Sequence, residues 1–246
     1  MLTSAVLAES VVTGVVDLEF DTRDGLSRVP LERCAAFPFE LVCSPVRGFP
    51  SFRGQRNFPG LWWFATTGMH VGHESWTERD QLMALDADPD VVGVLSQPFW
   101  LYWRDGKRHA PDYFVRRRDG SAVVIDVRDD ARISAADQEV FDRSAAACES
   151  VGWGYRRVGV LDPVLRANLR WLSGYRHPRV LRAALADQLV EVFGRTRPLM
   201  AGALAVGAPL VVLPVLFHLL WHGRLSADLR NATLADGTPV GLAVGQ

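Results

Sequence analysis

The stretch Ala110-Pro111-Asp112-Tyr113-Phe114-Val115-Arg116-Arg117-Arg118-Asp119-Gly120-Ser121-Ala122-Val123-Val124-Ile125-Asp126-Val127-Arg128 decides the fold class. Two apolar, β-rich runs flank Asp119-Gly120, a dipeptide that favours a tight hairpin. Each run is broken by one aspartate, Asp112 in the first and Asp126 in the second, although Asp is disfavoured in strands. Alternation puts Val123, Ile125 and Val127 on one face of the second run, and Val124, Asp126 and Arg128 on the other. Two violations on neighbouring strands point to a site, because local rules are broken mainly where function requires it. The plainer reading of Asp126 with Arg128 is an ion pair on a solvated strand face.

Upstream, residues 99–103 read as a strand, and Arg104-Asp105-Gly106-Lys107 as the turn to a returning strand over 110–115 that carries Asp112. With the strand at 122–128 this makes a three-stranded antiparallel meander. Gln97-Pro98 precedes it, after a short apolar run over 91–95. Before that, residues 74–86 lack Pro and Gly and form a helix closed by Asp88-Pro89-Asp90. Glu78 shares a helical stripe with Leu82 and Leu85, and a carboxylate among core leucines needs a partner, a hydrogen bond or a cation. Downstream, Ser134 caps a helix to about Ser150, and a fourth strand spans 154–160. Helix, meander, helix and strand predict an α/β sandwich over residues 58–160.

Residues 1–57 read as a β-rich extension, with Asp24-Gly25 as a turn. Residues 161–246 read as a helical domain: helices over 163–171 and 180–193, a start at Arg197-Pro198, a Leu-rich helix, and a closing hairpin suggested by runs over 224–229 and 231–233 and a turn at Asp236-Gly237. Helices followed by a hairpin fit a winged helix. Residues 199–221 carry no Asp, Glu, Lys or Arg and are long enough to span a bilayer. Pro209 and Pro214 argue instead for a break and a fresh helix start, and no membrane span is expected. His218 and His222 have metal-like i, i+4 spacing, but no third ligand is apparent.

Of 246 residues, 48% are hydrophobic and 22% charged, which fits a packed globular chain. The net charge of −1 conceals an asymmetry. Residues 151–246 carry +6 and residues 1–150 carry −7. A basic C-terminal part suits an anionic partner such as nucleic acid. In particular, Arg176 and Arg179 form a basic link, and Arg116, Arg117 and Arg118 could touch phosphates. Three cysteines without CxxC spacing fit a reducing, cytoplasmic location. Glu9 interrupts the early apolar run, so no signal peptide is expected.

Glu78, Asp112 and Asp126 are hard oxygen donors of the kind Mg²⁺ takes, with Mn²⁺ as a substitute, and Arg128 could hold a water or a phosphate. That set suits phosphodiester hydrolysis. The ordered motif Ser75-x-x-Glu78, Gln97-Pro98, Pro111-Asp112 and Asp126-x-Arg128 resembles the PD-(D/E)xK nuclease superfamily. More narrowly, it resembles the TnsA-like endonuclease subunits of heteromeric transposases. The likeness extends to Asn168-Leu169-Arg170-Trp171-Leu172 and covers roughly residues 55–240.

The resemblance implies a restriction-endonuclease-like fold with a C-terminal domain for DNA and partner contacts. It implies metal ligation by Glu78 and Asp112, with Asp126 in the third acidic or amide position and Arg128 in the place of the family's lysine. It further implies cleavage of double-stranded DNA at transposon ends, beside a DDE-type transposase subunit and an ATPase regulator. Arginine is bulkier than lysine and does not deprotonate, yet it still binds phosphate bidentately. Arg128 therefore leaves a second expectation: a catalytically decayed nuclease fold that serves as a DNA-binding or assembly subunit.

Overall fold

The computed structural model describes residues 16–48 and 58–243. The chain is mixed α/β with several antiparallel sheets. It divides into two compact units, 1–79 with 90–160 and 80–89 with 161–246.

The first unit opens with the hairpin β1 (Val16–Thr22) and β2 (Gly25–Pro30), then α1 (Phe39–Val42) and β3 (Cys43–Ser44). A second hairpin follows, β4 (Gly60–Phe64) and β5 (Met69–His73), and leads into α2 (Trp76–Asp86), which is divided between the units. Then come β6 (Val91–Ser96), β7 (Trp100–Trp103), β8 (Arg108–His109), β9 (Tyr113–Arg117) and β10 (Ala122–Val127). The unit closes with α3 (Ala135–Ser150) and β11 (Gly154–Val158).

The expected hairpin turns form: Gly106 and Gly120 take φ of 83° and 85°, which only glycine adopts freely. Their strands, however, do not make one meander. The run over 99–103 becomes β7 and pairs with β1 and β8, in the order β2-β1-β7-β8. Its expected place is taken by β6, the apolar run over 91–96, in a sheet ordered β11-β10-β9-β6. The physical cause lies at Gln97-Pro98. Gln97 is the one described non-glycine residue with positive φ, 45°, and with Pro98 it turns the chain out of the β6 sheet. Within that sheet β9 is antiparallel to both β6 and β10, while β11 runs parallel to β10 through the α3 crossover. Ser134 caps α3 with Asp137 in a reciprocal capping box.

One aromatic core serves the β2-β1-β7-β8 and β11-β10-β9-β6 sheets of this unit. Phe39 lies 5.0–5.8 Å, centroid to centroid, from Phe99, Phe114, Trp153 and Phe20. Leu18 and Phe20 of β1, Leu101 of β7, Phe114 of β9, Val124 of β10 and Cys148 of α3 are buried around it. Trp153 keeps its indole N–H satisfied by donating to the Ala35 carbonyl at 2.8 Å.

The second unit contains α4 (Pro163–Ser173), α5 (Ala183–Val192), β12 (Arg197–Pro198), α6 (Leu199–Val206), α7 (Pro209–Trp221), β13 (Leu225–Ala227) and β14 (Pro239–Leu242). The three strands form one antiparallel sheet ordered β12-β14-β13. The second hairpin strand is thus 239–242, not 231–233. The intervening loop is pinned by buried Asn168, whose amide donates to the carbonyls of Leu229 and Ala232 and accepts from Leu234 N–H. Arg170 pairs with buried Asp80 at 3.0 Å. The uncharged run splits at Gly207-Ala208 into α6 and α7, with Pro209 in the first turn of α7, where a missing N–H does no harm. No helix among the described residues is long and apolar enough to cross a membrane. His218 and His222 bond to the carbonyls of Tyr175 and Arg176 at 2.8 and 2.9 Å, and so tie that link to α7.

Candidate active site

The first unit carries a cleft of about 540 Å³. Glu78, Asp112, Asp126 and Arg128 all line it, so residues spread over 51 positions of sequence meet in one cavity.

Glu78 sits in the first turn of α2. Its carboxylate folds back to accept from Glu74 N–H at 2.7 Å and from the Ser75 hydroxyl at 2.8 Å, while Ser75 Oγ accepts from Glu78 N–H. The Ser75-x-x-Glu78 pair is therefore a helix cap as well as part of the cleft wall. Burial raises the Glu78 carboxyl above its ordinary value against those two hydrogen bonds, and neighbouring Glu74 adds to the rise.

Asp112 lies one residue before β9, not in mid-strand as its sequence context suggests. The β9–β10 ladder stops at the Ile125–Tyr113 pair, and there Asp112 Oδ2 takes over, accepting from Val127 N–H at 2.7 Å. An aspartate is thus tolerated because its side chain replaces a strand partner. Its carboxyl is held well above the carboxylate range, first by burial and then by the charges of Asp126 and Glu78.

Asp126 is in β10 and only 3% exposed. Its two oxygens are both engaged, one with His109 Nε2 at 2.9 Å and the other by the Tyr155 hydroxyl at 2.7 Å. This satisfies the burial rule for a charge. The Tyr155 hydroxyl in turn is pushed up by burial and by Asp126. Arg128, just past β10, has a side chain that is 47% exposed and lies 3.4 Å from Asp137, the capping-box partner of Ser134 in α3.

A second carboxylate stands beside Glu78. Glu74 receives both terminal nitrogens of Arg47, at 3.0 and 3.2 Å, and the Gln97 amide at 3.0 Å. Gln97 also donates its backbone N–H to the Asp112 carbonyl at 2.8 Å and accepts from Val46 N–H at 2.9 Å. The strained Gln97 backbone thus joins the Glu74 end of the cleft to the Asp112 end. Such strain persists where surrounding contacts over-determine it.

His109, Tyr155, Arg47 and the Glu74 pairing escape a reading of sequence. Tyr155 meets Asp126 only because β11 lies parallel to β10, and no local pattern announces that register. His109 sits three positions before Asp112, in a strand that pairs with β7. Lys107, Arg108 and Asp112 around it are charged as well, so nothing local singles it out.

The expected arginine contacts fall elsewhere. Arg116 is committed to Glu40 and to the carbonyls of Phe37 and Gly120. Arg117 pairs with Asp90 at 3.0 Å, and Arg118 N–H donates to the Asp90 carbonyl. Arg176 bonds to the Ser173 carbonyl and lies 3.7 Å from Asp86. Arg179 is exposed. None of these five lines the cleft.

The donors of the cleft are hard oxygens of the kind a divalent cation takes, and the Asp112 carboxyl among them is raised first by burial and then by the charges of Asp126 and Glu78. As the side chains stand, no three His, Cys, Asp or Glu groups among the described residues come close enough to enclose an ion. All three cysteines are free. Compared with known proteins, the chain matches no family model and no curated sequence.

Proposed function

We propose that the chain is a Mg²⁺-dependent DNA endonuclease of the PD-(D/E)xK type, acting as a TnsA-like subunit in cut-and-paste transposition. The observation that carries this reading is electrostatic. Burial, and then the charges of Asp126 and Glu78 in the same cleft, hold the Asp112 carboxyl well above its ordinary value, and three carboxylates lining one cleft favour a divalent cation. The order α2, β6, β9, β10, α3 and β11, with β9 antiparallel to both neighbours and β11 parallel to β10, supports a restriction-endonuclease-like core. In the second unit, α5, β12, α6, α7, β13 and β14 with sheet order β12-β14-β13 support a winged helix. Its α7 bears no charged side chain, so phosphate contacts from that unit would fall to arginines such as Arg176 and Arg179.

Glu78, Asp112 and Asp126 would hold Mg²⁺, which when bound supplies charge cover for the leaving oxygen and acidifies an attacking water. The chain's own groups do the rest. Val127 N–H orients Asp112, His109 and Tyr155 orient Asp126, and Ser75 with Glu74 N–H orients Glu78. Arg128 can offer its guanidinium to a phosphate once released from Asp137, a pair too exposed to be costly to open. The transposon-end substrate, the DDE-type transposase and the ATPase rest on the family resemblance alone.

One observation favours a second reading, a DNA-binding or assembly subunit without catalysis: Glu78 and Asp126 both have their oxygens fully engaged inside the protein. Thermal unfolding with Mg²⁺ or Mn²⁺ decides between them. A ligand at about 100 times its Kd stabilises by about 2.7 kcal/mol. The nuclease reading expects that gain for the parent and its loss in Asp112→Ala, together with metal-dependent nicking of DNA. An equal response of both proteins to metal, with no nicking, would leave the scaffold reading.

A further inference from the structure

The cleft is anionic, lined by Glu74, Glu78, Asp112, Asp126, Asp129 and Asp137. A phosphodiester cannot approach six carboxylates unless cations in the cleft offset them. Four arginines line the same cavity: Arg47, Arg108, Arg128 and Arg132. Two are already neutralised, Arg47 by Glu74 and Arg128 by Asp137. Arg108 and Arg132 are exposed and make no ion pair among the described residues.

Arg108 is also held ready. Its guanidinium carbon lies 4.3 Å from the ring centroid of Trp100, which itself lines the cleft. One terminal nitrogen donates to the Tyr102 hydroxyl at 3.2 Å, and that hydroxyl donates to Glu19 at 3.1 Å. The ring and this hydrogen bond hold the guanidinium from two sides, and its remaining N–H groups meet no acceptor among the described residues. A planar fork fixed in this way loses little freedom on meeting a phosphate and can bind it with two parallel hydrogen bonds. Arg132 ends a short 3₁₀ turn whose start is fixed by Asp129, the side chain of which accepts from Ala131 N–H. The turn sets a second guanidinium, without an ion pair among the described residues, on the same cleft.

We propose that Arg108, on its Trp100 platform, and Arg132 are the phosphate-binding residues of this cleft, taking two backbone phosphates of a polynucleotide. The inference takes its ligand from the nuclease reading but does not require catalysis. It replaces the run 116–118, in which the Arg116 and Arg117 side chains are spent on Glu40, Asp90 and backbone carbonyls, as the contact to DNA from this unit.

The test is the affinity of the full chain for a labelled DNA duplex of random sequence, in chelator, across a salt series. Each phosphate contact releases counterions and contributes about 0.9 to the slope of log K against log salt. Arg108→Ala and Arg132→Ala should each lower that slope by about 0.9 and weaken binding alike on every duplex sequence. Arg108→Lys should keep the slope, because the charge stays. Arg33→Ala, an exposed arginine off the cleft, should change nothing. Parent-like slopes in both alanine variants, or a parent that does not bind duplex, would overturn the proposal. Metal-dependent nicking measured in parallel separates the two ideas. Nicking with unaltered slopes removes the phosphate contacts and leaves the nuclease; altered slopes without nicking do the reverse.

Discussion

In the cleft, carboxylates of α2, β10 and the approach to β9 line one cavity, and burial together with the charges of Asp126 and Glu78 raises the Asp112 carboxyl. In the second unit, residues 199–221 carry no charged side chain, and Leu199, Ala203, Val212 and Leu216 are buried. The two regions use their chemistry to opposite ends. The cleft keeps charge where burial penalises it, so its residues work against stability in the metal-free protein. The helices hold apolar surface where water is excluded, so theirs supply it. Substitutions should therefore have opposite signs in the two places.

The largest effect is expected in the helical unit. Phe193 is fully buried just after α5, and Gly202 of α6 comes so near its ring that a β-carbon there would stand 2.1 Å from Phe193 Cζ. Phe193→Ala should cost about 3–5 kcal/mol, through lost transfer energy and a cavity that tight neighbours cannot fill. Denaturant unfolding measures it. A loss below about 1 kcal/mol would mean that the α5–α6 packing is not what holds this unit.

The same contrast explains what could be read from the sequence. Charge in an apolar strand drew attention to Asp112 and Asp126, and both line the cleft. The turns at Gly106 and Gly120 and the cap at Ser134 were legible because each is a local choice of backbone. Pairing was not. The adjacency of residues 99–103 to the next strand suggested a meander, whereas the left-handed Gln97 sends that run to β1, some 80 positions earlier in sequence. The arginine run over 116–118 looked free because Glu40 and Asp90 are distant in sequence. His109 and Tyr155 stayed hidden for the same reason: they reach Asp126 across strand registers that no short motif encodes.

Within the cleft the expected sign reverses. The Asp112 carboxyl is raised in the folded state, so the native protein binds this proton more tightly than the unfolded chain does. Its contribution to stability is complete below the unfolded value of about 3.9 and is lost as pH rises through the folded value. Asp112→Asn fixes the uncharged form and can still accept from Val127 N–H. In chelator at neutral pH it should raise stability, by about 1.4 kcal/mol for each pKa unit of the elevation, and below about pH 3.9 the gain should vanish. Thermal melts at both pH values check this. A destabilised Asn variant at neutral pH would mean that the carboxylate is welcome in the cleft, and the contrast with the helices would fail.

The smallest effect separates Arg128 from both regions. It lines the cleft, yet its side chain is half in water and its ion pair with Asp137 is long. Exposed pairs of this kind contribute about 0–1 kcal/mol, and lysine can replace arginine in them. Arg128→Lys should therefore leave the unfolding midpoint where it is. A compact ammonium can also approach a water more closely than a planar guanidinium does. On the nuclease reading, Arg128→Lys should then keep or raise metal-dependent cleavage while stability stays level. Complete loss of cleavage in a stably folded Lys variant would show that position 128 needs the two-pronged fork. Its task would then be phosphate binding beside Arg108 and Arg132, and the handling of water would pass to another group lining the cleft, such as His109, which bonds to Asp126.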